Sequence, residues 1–256
     1  MPSVALATTT PPPDREVSYP WVGIELLQDD FREMSNLNQI GRVEDLAFGF
    51  RAHLTAGWSG ESFGATRDSI LVSATLSDGF EVRPEQFLFM SLQATSRVED
   101  GSAANAYASF ATRYFARINP SNVFYASAAV LGAHDLDPET QILLGGDNGL
   151  RGYPLRYQSG SGRALVTLEH RVYTDWYPFR LVRIGGAVFV DAGRTWGRGP
   201  VPVENKGWLA DAGFGLRFGM SRSGLGNILH VDVAFPLNSE PGVDDVQFQV
   251  ETKRTF

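Results

Sequence analysis

Eleven stretches of this chain alternate apolar and other residues with period two, and none of comparable length carries a helical period. No other feature restricts the fold as much. A strand with such alternation has one face for an apolar medium and one for a polar or close-packed one. The stretches are 19–27, 46–58, 68–80, 86–97, 104–117, 122–132, 163–173, 181–196, 207–220, 228–237 and 246–256. In 46–58, Leu46, Phe48, Phe50, Ala52, Leu54, Ala56 and Trp58 share one face, against Arg51, His53 and Thr55. In 207–220, Ala212, Phe214, Leu216 and Phe218 oppose Asp211, Gly213, Gly215 and Arg217. The segment 29–44 reads as a polar connection.

The medium is set by three features. The faces opposite the apolar ones carry Gly, Ser, Thr, Gln and isolated charges, which suits a wet lumen. Aromatics gather near strand ends (Trp58, Phe80, Tyr173, Trp176, Tyr177, Trp196, Trp208, Phe256), as interfacial girdles do. The stretches reach the roughly 9–11 residues that a tilted strand needs to cross a bilayer. A closed barrel then satisfies every backbone group without water. A soluble β-sandwich or lipocalin-like barrel has the same period, and alternation alone does not separate them. The expected fold is all-β, an antiparallel transmembrane β-barrel of about 12 strands. Eleven are visible. Because single-chain bacterial barrels are usually even, either a strand before Leu46 is hidden or this is part of a barrel of about 16 strands.

Residues 1–18, with Pro11-Pro12-Pro13, read as a poorly ordered leader or linker, and 19–256 as the barrel domain. Met1 to Thr10 lacks the cationic start and apolar core of a signal peptide, which points to a mature form or a piece of a longer protein. No run of about 18 apolar residues exists to form a spanning helix. The absence of Cys removes disulfides, thiolate nucleophiles and sulfur metal sites, and the net charge of −7 argues against nucleic acid.

One loop stands out. Residues 145–154, GGDNGLRGYP, hold four glycines and a single cation, Arg151. Such a loop is either slack at the surface or folded back onto a partner for its arginine. Glu169 and Asp191 both fall on the polar faces of adjacent strands, and a guanidinium can fork onto such carboxylates. Glycine lets the loop backbone approach a wall closely.

Three pieces resemble one family. Leu150-Arg151-Gly152-Tyr153 resembles the Arg-Gly-Phe/Tyr loop motif of the outer-membrane assembly-factor superfamily, the BamA- and TamA-like bacterial surface-antigen barrels. Phe189-Val190-Asp191-Ala192-Gly193 resembles its Phe-x-Asp-x-Gly strand motif, and the ending through Phe248, Val250 and terminal Phe256 resembles its C-terminal signal. The resemblance is close for 145–256 and only topological for 19–132. It implies a bacterial outer-membrane barrel whose long loop folds into the lumen, with Arg151 on Asp191 first and Glu169 second. That contact either braces the barrel or positions the loop for substrate handling. It further implies insertion, assembly or translocation of proteins without catalysis. The partners would be outer-membrane lipids, client outer-membrane or secreted proteins, and barrel-insertion machinery that reads the last strand. The alternatives are a barrel that anchors a larger protein such as a patatin-like lipase, and a passive pore.

Other candidates carry less. His230 and Asp232 share a polar face, and His53 faces the same way, but no nucleophile elbow accompanies them, so no catalytic residue is expected. Asp147-Asn148-Gly149 lacks the acid pattern of a calcium loop and reads as a turn, as does Glu99-Asp100-Gly101. No metal or cofactor is expected. Arg113, Arg117, Arg183 and Arg217 read as lining a hydrated wall, offset by Glu25, Glu169, Asp191, Asp211 and Asp232.

Overall fold

The computed structural model describes residues 14–199, 205–221, 227–238 and 241–254. Its strands are β1 (Trp21–Leu27), β2 (Phe31–Ser35), β3 (Val43–Ala47), β4 (Arg51–Ser59), β5 (Ser69–Arg83), β6 (Gln86–Glu99), β7 (Ser102–Asn119) and β8 (Asn122–His134). They continue as β9 (Ile142–Leu144), β10 (Gln158–Gly160), β11 (Gly162–Tyr173), β12 (Val182–Trp196), β13 (Leu209–Met220), β14 (Asn227–Pro236) and β15 (Gln247–Arg254). Eleven form one sheet in the order β1-β4-β5-β6-β7-β8-β11-β12-β13-β14-β15, while β2 pairs with β3 and β9 with β10. Each alternating stretch supplies one strand of the large sheet, and every pairing in it is antiparallel. Among the described strands, β1 is paired only with β4 and β15 only with β14.

The sheet is rolled. Arg113 of β7, Tyr125 of β8, Arg171 of β11, Arg217 of β13, His230 of β14 and Lys253 of β15 line one interior cavity. Period two then sorts side chains between the two surfaces. Val188, Val190, Phe214, Leu216, Phe248 and Val250 are exposed on the outside, whereas Phe189, Asp191, Asp211, Arg217 and Asp232 are buried inside. Short turns match their sequence: Asp100 and Gly101 both have positive φ (50° and 76°) between β6 and β7, as a two-residue hairpin of primed type requires.

The interior is filled from both ends, and the sequence reading needs correction at one of them. Residues 29–44 are not merely a connection. β2 and β3 form a hairpin whose tip enters the roll, where Leu37 and Ile40 are buried against Phe87, Phe115, Tyr173 and Ile228. Glu44 holds this tip by accepting hydrogen bonds from the backbone N–H groups of Leu37, Asn38 and Gln39 at 3.0–3.1 Å. The stretch 46–58 is likewise not one strand. The chain breaks after Ala47, where Phe48 and Gly49 donate to the Asp30 carbonyl. A Cβ on Gly49 would lie 2.0 Å from the Gln28 carbonyl oxygen, so this crossing excludes a side chain. In consequence Phe48 points inward and packs on Phe87 and Phe89, instead of sharing the outer face of Leu54 and Trp58. Tyr173 also leaves the expected girdle: it is buried, and its hydroxyl donates to the Leu37 carbonyl at 2.7 Å. Trp58, Phe80, Trp176 and Trp208 remain exposed.

Of the leader 1–18, residues 14–18 are described. The Glu16 N–H donates to Thr66, and Arg15 forks onto Asp137, beyond the end of β8, at 2.8 and 3.0 Å. Arg97 forks onto the same carboxylate from β6, at 2.9 Å for both bonds.

Candidate functional site

Between β8 and β11 the chain folds back inside. β9 and β10 pair, and between them Gly146–Asn148 makes a 3-10 turn closed by Gly149 at φ 114°. The Asp147-Asn148-Gly149 sequence is thus a turn. It presents Leu150-Arg151-Gly152-Tyr153 to the inner faces of β11–β14, and all four residues are buried. Leu150 and Tyr153 pack with Leu144 and Leu209. The Tyr153 hydroxyl donates to the Ala210 carbonyl at 3.1 Å and contacts Asn238 Oδ1 at 3.3 Å.

Arg151 is 4% exposed, and its guanidinium meets three carboxylates. Nε and Nη2 fork onto Asp191 at 2.7 and 3.0 Å, while Nη1 reaches Glu169 at 3.3 Å and Asp232 at 3.2 Å. The charged plane lies 3.3 Å from the centroid of the Phe189 ring. Phe189 and Asp191 are two residues apart on one strand, so period two sets ring and carboxylate side by side on one face.

Neighbouring glycines make the room. Gly213 lies opposite Phe189, and a Cβ there would come within 2.5 Å of the ring. Gly215 lies opposite Asp232, and its Cβ would sit 1.8 Å from an Asp232 oxygen. A Cβ on Gly152 would stand 2.5 Å from Asp211 Cβ, so the arginine's neighbour touches the wall directly. Gly193, the last residue of the strand motif, lies beneath Leu144 of β9.

A second arginine layer completes the cluster. Arg217 bonds Asp232 and reaches Glu169 at 3.4 Å, while Arg171 gives Nε to Glu169 at 3.0 Å and Nη1 to the Leu37 carbonyl at 3.0 Å. Three guanidiniums and three carboxylates therefore interlock across β11, β12, β14, β13 and the loop. Through Arg171 the cluster also reaches the β2–β3 hairpin. Asp211 lies opposite Asp191 on β13, fully buried, with Gly152 of the loop directly against it.

The sequence places Asp191 and Glu169 beside Arg151, but from it alone Asp232 stays outside that set and Arg217 reads as a hydrated wall residue. The signal was available. Both lie on polar faces of the following strands, and Gly215 marks where an acid can lie across the ladder. Of the other wall arginines, Arg117 bonds Glu85 and the Ser35 carbonyl, and Arg183 stacks over Tyr177. His53 lines a separate interior recess with Trp21 and Arg97. Phe248 and Val250 face outward from β15, and Phe256 lies outside the described residues. Among the described residues no group of three or more His, Asp or Glu side chains is placed to hold a metal ion.

A rolled antiparallel sheet, apolar outside and closed inside by an arginine-fastened loop, defines a plugged membrane β-barrel domain. Residues 48–256 match the Omp85 superfamily domain, and the chain belongs to that superfamily of bacterial outer-membrane barrels. Among solved structures it is similar to CdiB from Acinetobacter baumannii (13% identity, TM-score 0.49, 90% of this chain and 41% of that one). It is also similar to BamA from Haemophilus ducreyi lacking POTRA domains 1–3 (12% identity, TM-score 0.43, 92% of this chain and 62% of that one). The chain thus spans less than two thirds of either. No curated protein matches it.

Proposed function

We propose that residues 19–256 act as one barrel domain in the insertion, assembly or translocation of proteins at the outer membrane, without catalysis. The observation that carries this reading is the edge of β15, which among the described strands is paired on one side only. An extended client segment can add to such an edge by main-chain hydrogen bonds, and the outward Phe248 and Val250 would continue its apolar face into lipid. A lumen occupied by hairpin and loop supports this role over a passive pore. In this reading Arg151, with Asp191 and Glu169, braces the loop against the wall and touches no client. Leu150, Gly152 and Tyr153 seat it, and Phe189 and Gly193 form its bed. The last strand, through Phe248, Val250 and Phe256, is also what insertion machinery would read.

The chain contains no Cys, so single cysteines report cleanly. Gln249→Cys on β15 should form disulfides with an unfolded outer-membrane client carrying cysteines along its final strand. Capture should recur at every second client residue. Capture no better than that by Val188→Cys, on the outer wall, would defeat the proposal.

A further inference from the structure

Below the arginine cluster, between the tip of the β2–β3 hairpin and the barrel wall, lies an interior cavity of about 130 Å³. Its lining includes the side chains of Arg113, Arg171, Arg217 and Lys253, with His230 and Asn38, and no carboxylate. Three acids pair with these cations from outside the cavity. Glu169 bonds Arg171 and Arg217, and Asp232 bonds Arg217, in the cluster above, while Glu251 pairs with Lys253 at 3.4 Å on the edge strand. Two of the lining side chains hold buried nitrogens with no hydrogen-bond partner among the described residues: Nε of Arg217 and Nδ1 of His230. His230 is 8% exposed and Arg217 3%. An unpaired buried donor such as the Arg217 Nε–H costs roughly 1–3 kcal/mol, so it points to an occupant that accepts hydrogen bonds. A water needs only about 10–15 Å³ of such space, which leaves room for a larger polar group.

We propose that this cavity is a binding site for a tetrahedral oxyanion of the phosphate class, held between the hairpin and the wall by Arg113, Arg171, Arg217, Lys253 and His230. Guanidiniums present forked donors that match phosphate oxygens, and an ammonium and an imidazole N–H add to them. The oxyanion is either free phosphate or the phosphodiester of an anionic lipid. Because Asn38 and Ile40 of the hairpin also line the cavity, occupancy would fasten the hairpin to the wall. The site stands independently of the client-handling role proposed above.

The test is thermal unfolding of the full chain in zwitterionic detergent, titrated with sodium phosphate against sodium chloride at matched ionic strength. Binding to the folded state alone raises the unfolding temperature with ligand concentration, saturably in ligand affinity. The wild type should be stabilised by phosphate beyond chloride. Lys253→Gln, partly exposed and outside the Arg151 cluster, should weaken the apparent affinity at least tenfold, and Arg113→Gln should do the same. A second arm replaces free phosphate with phosphatidylglycerol, compared with phosphatidylcholine. A shift only in that arm, lost in both variants, supports the site and assigns it to lipid. Equal shifts with phosphate and chloride together with no phosphatidylglycerol effect would overturn the proposal. So would shifts that both variants retain in full.

Discussion

Removal of the Arg151 guanidinium should release the loop from the barrel wall. Asp191 is fully buried and takes two hydrogen bonds from Arg151. Glu169 keeps Arg171 and Arg217 in its place, and Asp232 keeps Arg217. The cost of Arg151→Ala therefore falls mainly on Asp191. Truncating one partner of a buried ion pair costs about 3–5 kcal/mol, since the remaining charge is left uncompensated. At about 1.4 kcal/mol per decade, loop opening should become two to four decades more favourable. The reporter is Ser159→Cys, a small replacement at a buried position in β10, followed by the rate of maleimide labelling in intact micelles. Labelling should accelerate by roughly 100-fold or more, in proportion to the open population. Adding Asp191→Asn to Arg151→Ala removes the orphaned charge and should recover part of the loss, a coupling that only interacting residues show. If Arg151→Ala changes labelling by less than about 0.5 kcal/mol equivalent, the range of an ordinary surface substitution, the loop is not fastened there and the reasoning fails.

Other outcomes follow from the same geometry. Gly152→Ala sets a methyl 2.5 Å from Asp211 Cβ and should destabilise loop docking by about 1–3 kcal/mol, read by the same labelling. On the outer face, Val190→Arg should cost about 2–4 kcal/mol of refolding stability in vesicles if it sits near the bilayer midplane, whereas Ser127→Arg, on the inner face of β8, should cost less. Hydrogen bonds from Arg97, working against burial, and further bonds from Arg15 hold the Asp137 carboxylate below its usual range. A depressed folded value means that the stabilisation is present above the ordinary Asp range and lost as pH falls through that folded value. Arg15→Ala should therefore lower stability by about 1–2 kcal/mol at neutral pH, and the difference from wild type should shrink below roughly pH 4 in thermal unfolding.

Which parts of this architecture sequence reasoning reaches follows from the kind of interaction involved. The eleven sheet strands are legible because a lipid-facing surface imposes period two on every strand that touches it. Asp191 and Glu169 are legible as inward acids for the same reason. The β2–β3 hairpin is not. It touches no lipid, and its tip is held by Glu44 bonding backbone N–H groups five to seven residues earlier, which leaves no periodic trace. Leu37 and Ile40 find their partners on strands more than 40 residues distant. Alternation misplaces Phe48 because the break that interrupts it is imposed only by the close crossing at Gly49. The second arginine layer depends on how far the sheet curls, which brings β11 and β13 side chains onto the same carboxylate and is invisible to a strand-by-strand pattern.

The most direct test of the central claim, that the interior is closed by a loop fastened through Arg151, is planar-bilayer conductance of the reconstituted chain before and after Arg151→Ala. The wild type should show a low, quiet conductance and the variant frequent large openings. A wild-type conductance that is already high, and unchanged by the substitution, would contradict it.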